Sequence, residues 1–143
     1  MFNINVKGLL FTVQKALPLF TDGGSIILNA SIVASKGIEA LSVYSATKVA
    51  VRSFARCWTM DLRRRQIRVN TISPGPIETF IFHKVGLTQD QVDLAKESLV
   101  AAVPLGRMGR PDEVAKAAVF LASDDSSYVA GIELFVDGGV AQV

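Results

Sequence analysis

Hydrophobic residues recur along the chain with two different periods, and these predict helices and strands in alternation. The opening stretch MFNINVKGLLFTVQKALPLF has apolar residues at helical spacing and predicts a helix over residues 3–20. Short apolar runs predict buried strands at residues 25–29 (SIILN), 67–73 (IRVNTIS) and 132–136 (IELFV). Between the first two strands, a long amphipathic pattern predicts a helix over residues 42–64.

Two further helices are predicted in the second half of the chain. The sequence TQDQ, which starts at Thr88, fits a capping box and predicts a helix that ends near Val103. The stretch RPDEVAKAAVFLAS carries proline and acids at its front and predicts another helix, whereas residues 74–86 are expected to be irregular or short helical structure. Alternating strands and helices predict an α/β fold with a parallel sheet. With no repeat and no long linker, residues 1–143 form a single predicted domain.

Composition and charge exclude several classes of protein. Half of the residues are hydrophobic, but no apolar run approaches the ~20 residues of a membrane span. The net charge of +2 is too small to indicate nucleic-acid binding, and the basic run RRRQIR is expected to cap the C-terminal end of a helix. The single cysteine, Cys57, and the single histidine, His83, lack partners for a disulfide or a metal site. These features predict a cytoplasmic protein with no membrane, nucleic-acid or metal partner.

The pentapeptide YSATK places a lysine four residues after a tyrosine. In a helix, Tyr44 and Lys48 would lie on one face, about one turn apart. A positive charge held beside a phenol favours the phenolate, which makes the phenol usable as a general acid or base. By spacing alone, a surface lysine next to a half-buried tyrosine is the commoner arrangement, so the pair needs further support.

A serine supplies part of that support. Ser31 follows the strand at residues 25–29, at the carboxyl end where open α/β sheets bind their ligands. A hydroxyl there could hold a substrate oxygen beside the phenol of Tyr44. A lone serine after a strand is usually a helix cap or a turn residue, and this simpler interpretation stays open on position alone.

Taken together, the motifs resemble those of the short-chain dehydrogenase/reductase family. The resemblance covers nearly the whole chain: NINVKG, SIILNAS, YSATK, IRVNTISPGPIET and the tail PLGRMGRPDEVAKAAVFLASDDSSYVAGIELFVDGG. It implies a partial Rossmann-type, doubly wound parallel sheet of three strands with flanking helices. It also implies an NAD(P)-dependent oxidoreductase that acts on an alcohol or ketone.

The resemblance assigns a role to each candidate catalytic residue. Tyr44 would be the general acid in reduction and the general base in oxidation, and Lys48 would activate it and bind the nicotinamide ribose. Ser31 would polarise the substrate oxygen. Asn5 would hold, through its backbone carbonyl, a water of the proton relay to the lysine; Asn3 is its rival, but the Asn-x-x-Gly spacing to Gly8 favours Asn5.

The resemblance also implies which residues contact the cofactor. Beside Tyr44 and Lys48, the loop residues that match the family's nicotinamide contacts are Pro74, Gly75, Ile77 and Thr79. Residues 80–104, which include FIFHKVGL and LAKESLVAAV, would form a lid with an apolar inner face. The specific substrate and the choice between NAD and NADP are not encoded in these motifs.

One part of the family pattern is missing. The phosphate-binding loop T-G-x-x-x-G-x-G does not occur in this sequence, so the chain resembles the C-terminal, catalytic and substrate-binding half of a family member. Without that loop most dinucleotide-binding energy should be lost, and we expect this chain alone not to bind NAD or NADP. The alternative to an enzyme is therefore a catalytically silent fragment or an interaction module.

An assembly is expected as well. The helices at residues 3–20 and 42–64 carry more apolar residues than one buried stripe needs, and the resemblance implies that they pack between subunits. A homo-oligomer, either a dimer or a tetramer, is predicted. In the competing interpretation a separate N-terminal half covers the open edge of the strand at residues 25–29.

Overall fold

A parallel sheet forms the centre of the protein, as seen in a computed structural model that describes residues 1–79, 86 and 88–143. Its strands are β1 (Ser25–Asn29), β2 (Arg68–Pro74) and β3 (Glu133–Val136), in the spatial order β1-β2-β3. β1 runs in register with β2, and β2 in turn pairs with β3. Within the described sheet, β1 is therefore an edge strand.

Among the described residues, four α-helices connect and flank these strands. They are α1 (Leu9–Ala16), α2 (Ser42–Asp61), α3 (Gln89–Ala101) and α4 (Pro111–Ala122). A π-helical segment, Asn3–Gly8, leads into α1. Short 3₁₀ turns follow α1, β1, α2 and α4, at Leu17–Leu19, Ile32–Ala34, Arg63–Arg65 and Asp124–Ser126.

The helices cover both faces of the sheet. On one face, Val13 of α1 and Val51 of α2 pack with Ile26 and Val69 in the main core cluster. On the other face, Ser25 Oγ donates a hydrogen bond to the carbonyl of Leu121 in α4 at 2.8 Å. Because successive side chains of a strand point to opposite faces, these contacts place α1 and α2 opposite α4. This arrangement confirms the predicted α/β fold with a three-stranded parallel sheet and flanking helices.

The predicted elements agree with the structure within a residue or two in most places. The strand at Ser25–Asn29 is where it was predicted. The predicted capping box of α3 is also formed. Thr88 Oγ1 accepts a hydrogen bond from the backbone N–H of Gln91, and the Gln91 side chain accepts one from the backbone N–H of Thr88. The continuous helix predicted over residues 3–20 is wrong in detail, because it starts as a π-helix and ends as a 3₁₀ turn. Hydrophobic spacing does not distinguish these helix types over so few residues.

The basic run RRRQIR caps three helix ends rather than one. Arg63 donates to a carbonyl in the last turn of its own helix, α2, at 3.0 Å. Arg65 donates to the carbonyl of Leu17 after α1 at 3.0 Å, and Arg68 donates to that of Leu121 in α4 at 3.0 Å. The carbonyls at helix ends lack intrahelical partners and carry partial negative charge, so guanidinium groups suit them. The run thus ties α1, α2 and α4 together at the amino end of β2.

Part of the predicted lid cannot be compared with the structure. Of its front part, residues 80–87, only Gly86 lies among the described residues, and His83 lies outside them. The rear part forms α3, where Val92 is buried and Leu94 is exposed.

Candidate active site

An open cleft of about 480 Å³ lies at the carboxyl ends of β1 and β2. Loops that leave neighbouring parallel strands meet at this edge, which is the usual ligand site of such sheets. Every predicted site residue except Asn5 lines the cleft: Ser31, Tyr44, Lys48, Pro74, Gly75, Ile77 and Thr79. Four lining residues were not predicted: Asn29, Ala30, Pro111 and Val114.

Ser31 both caps a turn and lines the cleft. It is the N-cap of the 3₁₀ turn Ile32–Ala34, and its Oγ accepts a hydrogen bond from the backbone N–H of Val33 at 3.4 Å. A serine hydroxyl can accept and donate at once, so this cap leaves the O–H of Ser31 available as a donor. The capping and ligand-binding interpretations are therefore compatible in this fold.

Tyr44 and Lys48 share one face of α2, as their spacing predicts. The Lys48 Nζ atom lies 5.6 Å from the centroid of the Tyr44 ring. The same Nζ donates to the carbonyl of Asn29, the last residue of β1, at 2.9 Å. Burial lowers the pKa of the Lys48 ammonium below its ordinary value of 10.5. A fixed, partly desolvated ammonium thus stands beside the phenol.

Asn5 lies outside the cleft, behind the helix that carries the tyrosine and the lysine. Its Nδ2 donates to Oγ1 of Thr47 at 3.1 Å, and that buried hydroxyl donates to the backbone carbonyl of Tyr44 at 2.7 Å. Asn5 also belongs to the π-helical segment, a conformation that is rare and frequent at functional sites. The Asn5 side chain therefore supports α2 next to Lys48. The role predicted for the Asn5 backbone carbonyl, which is to hold a water of the proton relay, stays a prediction.

The loop after β2 is held from two sides. The backbone N–H of Gly75 donates to the carbonyl of Val136 in β3 at 3.1 Å. Further along, Ile77 pairs with Gly109 in an isolated parallel bridge, and the N–H of Glu78 donates to the carbonyl of Gly109 at 2.8 Å. These bonds fix the predicted cofactor contacts between β3 and the start of α4.

The motif VDGG at the end of β3 packs against this loop. A Cβ atom on Gly75 would lie 2.7 Å from the Cα of Asp137, so only glycine fits there. The carboxylate of Asp137 accepts from the backbone N–H groups of Gly139 at 2.9 Å and Ala141 at 2.8 Å. The motif therefore forms a rigid turn whose backbone supports the loop after β2.

The residues that were not predicted gave no sequence signal. Asn29 contributes a backbone carbonyl, which any residue could offer. Pro111 and Val114 belong to α4, and their approach to the cleft depends on how that helix packs on the sheet. Such contributions can be found only in the folded chain.

A second cleft of about 510 Å³ lies next to the first and shares Ile77 with it. Its walls include Phe135, Leu105 and the ion pair between Arg107 and Glu113, whose Nη2 and Oε1 atoms are 2.7 Å apart. It is slightly larger, but the hydroxyl, phenol and amine groups all line the smaller cleft. The smaller cleft is therefore the candidate active site.

Within residues 1–79, 86 and 88–143, no group of three or more His, Cys, Asp or Glu side chains could hold a metal ion. In the same part of the chain, no helix is both long and apolar enough to cross a bilayer.

Comparison with known proteins places this geometry in a family. A family profile described as "Enoyl-(Acyl carrier protein) reductase" matches residues 1–141. The oxidoreductase asL5 of Sarocladium schorii is 45% identical over 145 residues, which cover 100% of this chain and 56% of that relative. The chain spans about half the length of the curated relatives it matches.

Solved structures match over the same part. A short-chain dehydrogenase family protein from Francisella tularensis superposes with a TM-score of 0.86 at 27% identity, covering 97% of this chain and 60% of that chain. The angucycline C-6 ketoreductase LanV, solved with bound NADP, superposes with a TM-score of 0.87 at 28% identity, covering 97% and 52%. Sequence profile, relatives and fold agree, and the chain belongs to the short-chain dehydrogenase/reductase family of oxidoreductases.

Proposed function

We propose that the chain carries the catalytic half of a nicotinamide-dependent oxidoreductase that interconverts a ketone and an alcohol. The observation behind this proposal is the single cleft that brings together the Ser31 hydroxyl, the Tyr44 phenol and the Lys48 ammonium. These three groups are a donor, a proton carrier and a fixed positive charge, which carbonyl reduction requires at one point.

The substrate oxygen would lie between Ser31 and Tyr44. In reduction, both O–H groups donate to the carbonyl oxygen, and the phenol transfers its proton as negative charge develops there. In oxidation, the phenolate accepts the proton of the alcohol. Ser31 keeps its hydroxyl as a donor in both directions because its cap bond uses only a lone pair.

Lys48 would act on both the phenol and the cofactor. Its ammonium is held by the carbonyl of Asn29, 5.6 Å from the centroid of the Tyr44 ring, where its charge would stabilise negative charge on the phenol oxygen as the proton is transferred. The remaining N–H groups of Lys48 are suited to the hydroxyls of a ribose. Asn5 would complete the relay through a water on its backbone carbonyl, close to α2.

The cleft fits the nicotinamide and ribose end of a dinucleotide. Lys48 and Tyr44 offer hydrogen bonds, and the braced loop with Gly75, Ile77 and Thr79 offers backbone groups and the apolar side chain of Ile77. When bound, the dinucleotide supplies or accepts the hydride. The ketoreductase LanV holds NADP, which favours a nicotinamide cofactor here, either NADP or NAD.

The second candidate is a silent fragment or an interaction module. It is favoured by the absence of the T-G-x-x-x-G-x-G loop from the sequence and by the share of the relatives that the chain covers. Isothermal titration with NADH and NADPH distinguishes the two functions. Dissociation constants tighter than about 1 mM support the enzyme and contradict the silent fragment.

We also propose that two copies pack through the helices at residues 3–20 and 42–64. Large apolar side chains on these helices are exposed: Ile4 by 77%, Phe11 by 46%, Val49 by 48% and Met60 by 59%. Apolar patches of this kind mark protein–protein contacts. A separate N-terminal half that pairs with the edge of β1 is the competing partner.

A further inference from the structure

Glu133 opens β3 with a carboxylate that is almost completely buried. Its side chain is 10% exposed, and three donors reach its two oxygens. Ser73 Oγ donates to Oε1 at 2.6 Å, while Arg52 Nε and Ser35 Oγ donate to Oε2 at 3.2 Å and 3.3 Å. A buried carboxylate is tolerated only where charge and hydrogen bonds compensate it, and here both do.

The three donors lie on three separate segments, and each segment carries a residue of the cleft. Ser73 directly precedes Pro74 at the end of β2. Arg52 lies one turn after Lys48 on α2. Ser35 ends the 3₁₀ turn that begins at Ser31. No other group described above joins the segments of Ser31, Lys48 and Pro74 at one point.

We propose that Glu133 is a positioning residue, whose carboxylate sets the relative placement of the three segments that carry the active-site groups. This inference rests on the proposed function, because the relative placement of the three segments matters for catalysis only if the cleft is an active site. Arg52 is itself fixed from the other side, since its Nη1 donates to the carbonyl of Gly131 at 3.0 Å. The carboxylate is therefore a fixed centre to which the other two segments are tied.

The energetics favour a role in geometry over a role in stability. A buried ion pair usually contributes little more to stability than well-packed apolar side chains of the same volume. A fully hydrogen-bonded polar network does restrict which arrangement its members adopt. Arg52, with a side chain 14% exposed, and Glu133 form such a network with two hydroxyls that nonpolar side chains could not bind.

Backbone hydrogen exchange tests the proposal one segment at a time. S35A removes only the donor on the first loop, so the Lys36 amide, bonded to the carbonyl of Ile32, should exchange about tenfold faster while the Gly75 amide is unchanged. S73A should do the reverse and release the Gly75 amide. Equal effects of both variants on both amides, or no effect, would overturn the proposal.

A double variant separates positioning from stability. R52M/E133L replaces the ion pair with apolar side chains and should lower the midpoint of urea unfolding only by the cost of the two hydroxyls that lose their acceptor. The Lys36 and Gly75 amides should still exchange about tenfold faster than in the wild type, because the hydroxyls have lost their acceptor. If both amides regain wild-type protection, Glu133 is a stability residue only.

S126A is the matched control, because Ser126 is buried and bonds Arg68 at the opposite, amino end of β2. It should lower the urea midpoint without a selective change at Lys36 or Gly75. Ketone reduction with NADPH, assayed in the same variants after the phosphate-binding half of a family member is supplied, separates this proposal from the proposed function. An inactive wild type with the exchange pattern intact refutes the function alone, whereas an active E133Q with unchanged kcat refutes the positioning role.

Discussion

Gly75 and Asp137 are packed backbone against backbone: a Cβ atom added to Gly75 would lie 2.7 Å from the Cα of Asp137. G75A must therefore push the loop after β2 away from the turn after β3. We expect a loss of about 1–3 kcal/mol in the free energy of unfolding, which is typical of overpacking. Urea unfolding of the variant measures it.

Gly37 provides the matched control for this substitution. A Cβ added there meets nothing within 4 Å. G37A should change stability by less than about 1 kcal/mol, and in the stabilising direction, because alanine restricts the unfolded chain. Equal losses of unfolding free energy in G75A and G37A would show that the close contact with Asp137 does not contribute to the effect of G75A.

Replacing Tyr44 with phenylalanine removes the proton carrier and little else. When the phosphate-binding half of a family member is supplied, Y44F should lower the rate of ketone reduction by about 10²- to 10⁴-fold, the usual contribution of general acid–base catalysis, and leave nucleotide affinity nearly intact. Steady-state kinetics and isothermal titration measure the two effects. Y128F changes the only other tyrosine, which is fully exposed, and should be neutral. Activity of Y44F within about tenfold of the wild type contradicts its role.

Lys48 makes stability depend on pH in the alkaline range. Burial lowers the pKa of its ammonium below 10.5, so the folded state releases this proton more readily than the unfolded state. The resulting cost to folding is present at neutral pH and is relieved as the pH rises through the folded pKa towards 10.5. Wild-type stability should therefore rise relative to that of K48M in this range. A constant difference between pH 8 and 11 would contradict the shift.

Glu113 makes stability depend on pH in the acid range. The Arg107 side chain, followed by the backbone N–H of Arg110, lowers the pKa of this carboxyl from 4.5 to about 2. A lowered carboxyl pKa stabilises the fold above pH 4.5, and this stabilisation is lost as the pH falls through about 2. The stability difference between wild type and E113Q should shrink over that window. R107M should return the Glu113 pKa towards 4.5, as carboxyl NMR titration would detect.

The exposed helix face predicts self-association. Light scattering of the purified chain at micromolar concentration should give at least twice the monomer mass of 15.4 kDa. V49K, on α2, should lower that mass, because a charge would be buried at the interface. V119K, which alters an exposed valine on α4, should not. A well-folded wild-type monomer would contradict the assembly.

Much of the cleft could be predicted because its residues follow strands. Ser31 comes after β1, and Pro74 and Gly75 come at the end of β2, so a parallel sheet must bring them to one edge. Helical spacing then places Lys48 beside Tyr44. The predicted positions of Ser31, Tyr44 and Lys48 needed only the periodicity of the chain and the direction of its strands, whereas the choice of Pro74 and Gly75 as cofactor contacts came from the family resemblance.

The remaining features depend on packing that the sequence does not display. Asn5 turns its side chain to Thr47, a contact between residues 42 positions apart. The carboxylate of Glu133 is tied to Ser73 and Ser35, although a glutamate in a short apolar strand suggests an exposed position. Contacts between residues so far apart in sequence depend on how the helices pack on the sheet, and no local sequence pattern specifies that packing.

The spatial order β1-β2-β3 is also the order in which a ribosome makes the strands. When β2 and β3 emerge, each therefore finds its pairing partner in this sheet already synthesised. Contacts between neighbours in synthesis order require shorter loops to close than a shuffled order does, and early closure limits the time for which apolar strands stay exposed. The sheet can thus extend one strand at a time during translation, always away from the edge of β1.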